Sequence, residues 1–219
     1  MQVVLVHGWG FDAIMWGRVR QVLSCENKTI DLGFFGSLNM HMPTDEPVLA
    51  VGHSLGLLWL LTHAELPAGS RVIGINGFAR FSQAPDFPQG VAPRVLERMQ
   101  RGLTRDASAV LTQFRKNCGN ETAQTEDVLP EHSPDIERLS EGLRLLREGD
   151  ARARMGSVHA LLASRDDTIV APAMTEAGVT PSCIQWEETG GHLLPLTAPT
   201  LCATFISDIL NEARSDGHS

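Results

Sequence analysis

The stretch Gly52-His53-Ser54-Leu55-Gly56 constrains this chain more than any other feature. Val48 to Val51 before it is an apolar run of strand length, and Leu55 to Leu66 after it reads as a fully buried helix. A serine at such a junction, with glycine two residues to either side, fits a sharp strand-to-helix turn that lifts its hydroxyl clear of the sheet. Only small residues at the flanking positions let strand and helix approach closely enough for that turn. The competing reading of Ser54 is a helix N-cap. What separates the two is whether the rest of the chain supplies partners for a nucleophile.

The surrounding pattern is one of short strands alternating with helices. Val3 to Val6, Thr29 to Asp31, Val48 to Val51, Arg71 to Ile75, His159 to Ala163 and Cys183 to Trp186 read as strands. Asp12 is placed to cap a helix carrying Ile14, Val19, Val22 and Leu23 on one side, and Thr200 to Ala213 has the spacing of a closing amphipathic helix. The pattern predicts an α/β fold with a reduced, mainly parallel sheet of about six strands. At 219 residues a single domain over 1–219 is expected. Between Phe81 and Gly156 no strand is legible, only polar helical stretches punctuated by prolines. This predicts a helical lid over residues 82–156, inserted after the fourth strand. The last residues, from Ser215, read as a frayed tail.

A nucleophilic serine needs a base, and the base needs an orienting carboxylate, in the chain order serine, acid, histidine. Leu161 to Val170 leaves a strand and turns into a loop carrying Asp166 and Asp167. Asp167, followed by Thr-Ile-Val, is the candidate acid, and Asp166 stays open as the alternative. His192 stands in Thr189-Gly190-Gly191-His192-Leu193-Leu194-Pro195, a glycine-rich loop straight after the last strand, and is the candidate base. His7 and His53 belong to backbone-shaping motifs, and His41, His63, His132 and His218 lie in polar surroundings. His159 starts a strand and reads as a core or edge residue. An oxyanion needs two preorganised amide donors. Leu55, next after the serine, supplies one; the loop His7-Gly8-Trp9-Gly10 supplies the other at Trp9, whose ring could also wall the pocket.

Other classes find little support. The eight histidines and four cysteines show no metal-ligand spacing, so no metal or other cofactor is expected. Cys25, Cys118, Cys183 and Cys202 read as free thiols of a cytoplasmic protein. A net charge of −8 argues against a nucleic-acid partner. No apolar run approaches the roughly 20 residues that span a bilayer, and the N-terminal residues lack the pattern of a secretory leader.

Taken together, His-Gly-Trp-Gly, Gly-His-Ser-Leu-Gly, Asp-Asp-Thr-Ile-Val and Gly-Gly-His resemble the α/β-hydrolase superfamily over nearly the whole chain. Within it the chain is most similar to the pimeloyl-acyl-carrier-protein methyl ester esterases of biotin synthesis. Trp9 directly after His-Gly carries that likeness, with Asn76 to Phe81, Asp86 to Val91, Phe114 and Cys118-Gly119. The resemblance implies hydrolysis of a methyl ester on a carrier-bound pimeloyl chain, with Ser54 as nucleophile, His192 as base and Asp167 orienting it. The chain departs from the family in lacking N-terminal antiparallel strands before residue 3. The segment between Asp31 and Val48 is also too short and polar for a full crossover helix. An exposed sheet edge or self-association then becomes more plausible. Alternatives on the same scaffold are a general small-molecule carboxylesterase or thioesterase, and a lyase or C–C hydrolase. A binding protein that keeps the serine without turnover is the competing class.

Charge adds one more expectation. From Arg80 to Gly119 there are seven basic and three acidic residues, in a chain that is acidic overall. Arg94, Arg98, Arg101 and Arg105 recur at helical spacing and share one face. That face could steer an acidic carrier protein, or it could be a solvated surface. Residues 120 to 156 hold five basic and nine acidic residues, so internal ion pairing is a further competitor.

Overall fold

The computed structural model describes residues 1–36, 38–119, 130, 132–178 and 181–216. Its strands are β1 (Gln2–Val6), β2 (Asn27–Leu32), β3 (Leu38–Asn39), β4 (Val48–His53), β5 (Arg71–Ile75), β6 (Val158–Ser164) and β7 (Ile184–Glu187). They form one seven-stranded sheet in the order β3-β2-β1-β4-β5-β6-β7. Every pair is parallel except β2 with β3, which meet antiparallel through Asp31↔Asn39 and Leu32↔Leu38. The six strands expected from the sequence are all present, with ends shifted slightly. β3 is an addition, and its two exposed residues are too few to carry a periodic signal.

The central strands are apolar throughout because both faces are covered. Val4, Val6, Val48 and Ala50 point into one core, beneath α2 (Leu55–His63), α3 (Pro93–Asn117) and α4 (Ile136–Glu148). Val3, Leu5, Leu49, Val51, Ile73 and Ile75 point into the other, with α1 (Gly17–Val22), α6 (Leu194–Thr197) and α7 (Pro199–Asp216). A short α5 (Pro172–Glu176) follows β6.

Two local expectations need correction. The helix after Asp12 starts as a 3₁₀ turn at Ala13–Trp16, capped by Asp12 through the Ile14 amide at 2.9 Å, before α1 begins at Gly17. That change of pitch rotates the apolar face: Met15, Trp16, Val19 and Leu23 are buried, whereas Ile14 and Val22 are exposed. α2 ends at His63 rather than Leu66, since Pro67 disfavours helical backbone in the residue before it.

Between β5 and β6 the chain carries α3 and α4. α3 is broken at Asp106, whose φ and ψ of −157° and 87° are extended. The Asp106 carboxylate accepts from the Ala109 amide at 2.9 Å and so caps the second arm. The inserted segment is clasped at its base, where Ala151 N donates to Ala79 O at 2.8 Å and Arg80 pairs with Asp150 at 2.6 Å.

The strand order places the site. From β1 the chain moves outward to β2 and then returns across β1 to β4, so successive crossovers run in opposite directions from there. The ends of β1 and β4 therefore flank a topological switch point, the crevice where open parallel sheets bind ligands. Trp9 follows β1 and Ser54 follows β4.

Candidate active site

Ser54 sits between β4 and α2 with φ of 52° and ψ of −121°, a conformation that non-glycine residues rarely adopt. Its neighbours explain how the chain accepts this. A Cβ at Gly52 would lie closer than 3.0 Å to Leu57 backbone atoms, and one at Gly56 would collide equally with the Val6 carbonyl. Both glycines are therefore required by space, because strand, turn and helix are in backbone contact. The Ser54 amide donates to Ile75 O at 3.2 Å, which ties the turn to β5.

The structure brings three of the sequence candidates into one row. His192 Nε2 lies 3.0 Å from Ser54 Oγ, and His192 Nδ1 lies 2.8 Å from Asp167 Oδ2. With Nδ1–H donating to the carboxylate, Nε2 is free to accept from the serine hydroxyl. Asp167 is held in turn, since Oδ1 accepts from the Ile169 amide at 2.7 Å and the Val170 amide at 2.9 Å. Ser54, His192 and Asp167 are all buried, which strengthens each of these bonds.

Asp166 points elsewhere. Its Oδ1 accepts from Gly191 N at 2.8 Å and its Oδ2 from Gly190 N at 3.3 Å, so it fastens the loop that presents His192. The loop is held from its other side by His53 and Asn76. His53 Nε2–H donates to His192 O at 2.8 Å, and the Asn76 amide donates to Gly191 O and His192 O at 2.9 and 3.0 Å. Burial, with His192 beside it, pushes His53 down to about 3, so this ring works as a neutral donor. Sequence reasoning overlooked Asn76 and the loop-holding role of Asp166. The available signal for Asn76 was an asparagine directly between the end of a strand and a glycine.

Leu55 stands at the first position of α2, where backbone amides have no intrahelical acceptor, beside the positive end of the helix dipole. The loop after β1 lies against the serine: a Cβ on Gly8 would be 3.1 Å from Ser54 Cβ. Trp9 follows in that loop. Its ring is buried under the inserted helices, edge-on to Phe114 at 4.8 Å, with Nε1–H donating to Leu139 O at 2.9 Å.

A cleft of about 480 Å³ has Leu55, the residue after Ser54, in its wall. Its apolar lining includes Leu32, Phe34, Leu55 and Trp59, and its polar lining includes Arg138 and Arg144 of α4. Arg94, Arg98, Arg101 and Arg105 are exposed on the first arm of α3 and do not line it. Among the described residues none of these four forms an ion pair. The acidic partners in this region instead meet Arg80, Arg138, Arg147 and Arg152. The four cysteines are free, Cys118 and Cys202 buried and the others half-buried. Among the described residues no group could hold a metal ion, and no helix is long and apolar enough to cross a membrane.

Comparison with known proteins agrees with this architecture. The esterase from Exiguobacterium antarcticum superposes with a TM-score of 0.73 at 17% identity, covering 98% of this chain and 92% of that one. MenH from S. aureus superposes at 0.72 with 15% identity, covering 98% and 94%. At such identities the likeness concerns the fold alone, which is the α/β-hydrolase fold. No family model matches the chain. In sequence, the pimeloyl-[acyl-carrier protein] methyl ester esterase of Serratia marcescens is 30% identical over 183 residues, 72% of this chain and 71% of the relative. Its counterpart in Photobacterium profundum is 28% identical over 182 residues, 71% of each. The chain is therefore a hydrolase of the α/β fold and belongs to the pimeloyl-[acyl-carrier protein] methyl ester esterase family.

Proposed function

We propose that this chain is a serine carboxylesterase that cleaves the methyl ester of a carrier-bound pimeloyl chain, in the cytoplasm, as a step of biotin synthesis. The observation that carries the reading is the buried row from Ser54 Oγ through His192 to Asp167 at the switch point of the sheet. The substrate class rests on the activity for which the relatives are named.

In this reading Ser54 Oγ attacks the ester carbonyl while His192 Nε2 takes the hydroxyl proton. The developing oxyanion is met by the amides of Leu55 and Trp9. Collapse of the tetrahedral intermediate breaks the bond to the methoxy oxygen, which leaves as methanol with the proton from His192. Water, deprotonated by the same nitrogen, then attacks the acyl-enzyme. The products are a free terminal carboxylate and regenerated Ser54. Asp167 keeps the His192 tautomer correct and stabilises the imidazolium in both halves.

The inserted segment, residues 82–156, acts as the lid in this proposal. The cleft under α4 is apolar where it meets Leu55, which suits an acyl chain. Arg94, Arg98, Arg101 and Arg105 form the contact for the acidic carrier protein, a role supported by their exposure and their freedom from ion pairs with described residues.

The test is hydrolysis of pimeloyl-carrier-protein methyl ester beside a short p-nitrophenyl ester, for wild type and Ser54→Ala. Preference for the carrier-bound ester is expected, with loss on the order of a millionfold in kcat in the mutant. Turnover of the short ester alone would keep the serine esterase and remove the carrier-bound substrate.

A further inference from the structure

The base and the nucleophile of the proposed reaction lie 138 positions apart in sequence, yet their separation has to be held to within a few tenths of an ångström. Ser54 is fixed locally by its turn. His192 stands on a loop whose two preceding glycines, at φ of 129° and 63°, have no side chains to hold them. Something outside the loop must set where the His192 backbone lies.

We infer that Asn76 is a positioning residue for the reaction, joining the His192 loop to the strand that also anchors Ser54. The inference rests on the reading of Ser54 as nucleophile and His192 as base. Asn76 follows β5 directly, is 1% exposed, and uses each of its side-chain polar atoms. Nδ2 spends its two hydrogens on Gly191 O and His192 O, at 2.9 and 3.0 Å. Oδ1 accepts from Ser164 N at 2.9 Å, and the Asn76 backbone amide donates to Leu162 O at 2.8 Å. These partners fix the amide's orientation, because a flipped amide would point its oxygen at two carbonyls.

The adjacent residue completes the link. Ile75 O accepts the Ser54 amide at 3.2 Å, so the dipeptide Ile75-Asn76 holds the nucleophile by its main chain and the base by a side chain. His53 Nε2, next to Ser54, reaches the same His192 carbonyl. The residue type follows from the backbone. Asn76 has a φ of 46°, which asparagine tolerates better than other residues with side chains, and it supplies two donors and an acceptor at that point. A rare backbone conformation beside a functional site, with both side-chain polar atoms satisfied, marks a position set by that site.

The experiment compares wild type with Asn76→Gly and Asn76→Asp. Glycine keeps the left-handed backbone and removes the clamp. Aspartate keeps the shape and the acceptor for Ser164 but turns an oxygen toward both carbonyls. Two readouts are needed besides melting temperature: the rate at which a fluorophosphonate probe labels Ser54, and kcat and KM on a short p-nitrophenyl ester.

For folded variants, labelling and kcat are expected to fall about a hundredfold, the loss associated with a misplacement of about 1 Å, while KM stays near its wild-type value. Asn76→Asp carries a further signature. As pH falls from about 8 to about 6, its carboxyl gains a hydrogen that can be donated to a carbonyl again, so its rate relative to wild type rises. Wild-type labelling in folded Asn76→Gly, or equal loss of kcat and gain in KM, would overturn the inference. So would failure of both variants to fold, which would make Asn76 a residue of the fold first. An unlabelled wild type would instead defeat the assignment of Ser54 on which the inference rests.

Discussion

The strand ends around Ser54 and the helices inserted between β5 and β6 are held by different kinds of contact. At the strand ends, buried polar groups close on one another. Asp167 holds the His192 ring, Asp166 holds the amides of Gly190 and Gly191, and Asn76 and His53 hold the His192 carbonyl. In the inserted segment, Leu96, Leu103 and Leu111 of α3 and Leu139, Leu143 and Leu146 of α4 are buried. Ion pairs there, such as Arg138–Glu141 and Arg147–Glu148, face solvent and add little stability. Among the described residues a handful of directional bonds cross between the regions: Trp9 Nε1 to Leu139 O, Arg115 to Gly10 O, the Asp135 amide to Phe34 O and Thr168 Oγ1 to Asn117 O. Directional bonds set distances, whereas apolar contacts let helices slide. Chemistry that depends on separations near 3 Å therefore belongs to the strand ends, and the inserted helices are suited to recognition.

The sharpest probe of the strand-end network is the adjacent pair of aspartates. Asp167→Asn replaces the acceptor for His192 Nδ1–H by a group that favours the wrong tautomer, and a loss of about ten-thousandfold in kcat is expected. Asp166→Asn keeps one oxygen for the glycine amides, and less than about tenfold loss is expected because the other loop clamps remain. Steady-state kinetics on a short ester reads both. Equal losses would mean that the loop and the acid act as one unit, and that the separation of roles drawn from their geometry is wrong.

The same contrast explains what the sequence disclosed. Ser54, Asp167 and His192 were legible because each sits at a junction with strict local demands: a turn with glycine on both sides, a loop leaving a strand, and a glycine-rich loop after the last strand. Six strands were legible for a related reason, since strands covered on both faces must be apolar throughout. β3 was not, because two exposed residues leave no period to read. Asn76 was missed because its partners, Ser164, Gly191 and His192, are distant in sequence and no local rule announces them. The arginine face of α3 was legible as a face. Its absence from the cleft lining was not, since the packing of α3 on α4 and the break at Asp106 are tertiary facts.

The proposed recognition by the inserted helices predicts a different kind of loss. Reversing Arg94, Arg98, Arg101 and Arg105 to glutamate should lower kcat/KM on a carrier-bound ester about tenfold at low salt, less at high salt, and spare a short free ester. Equal loss on both substrates would place the effect in the fold and not at a docking face.

Acid gives a test of the buried network. His53 titrates near 3 in the folded chain because burial, and then His192, disfavour its charge; unfolded, it titrates near 6.5. Between those values the unfolded chain binds a proton that the folded chain refuses. The associated stability is present in full above about pH 6.5 and is lost as pH falls toward about 3, by up to about 1.4 kcal/mol per pH unit. Denaturant titrations at a series of pH values should show a shallower dependence for His53→Gln, whose amide can still donate to His192 O. An unchanged slope would mean that His53 takes up its proton without unfolding.

The smallest expected effect lies where the two regions touch. Trp9 belongs to the strand-end loop by its backbone and to the inserted helices by its ring, which lies against Gly142 and Phe114. In Trp9→Phe the proposed amide donor stays, and an aromatic ring still faces Phe114. What disappears is the hydrogen bond to Leu139 O, a carbonyl that keeps its own helical acceptor role toward the residue four positions on. The loss should therefore be about 1 kcal/mol, or about 2–4 °C in melting temperature for a domain of this size. Hydrogen exchange tells where it falls. If α4 is held to the core chiefly through this ring, its amides should exchange faster in Trp9→Phe while those of β1 and β4 keep wild-type rates. A uniform increase across sheet and helix would show that the inserted segment and the strand ends open together. The contrast between them would then be one of composition and not of independent stability.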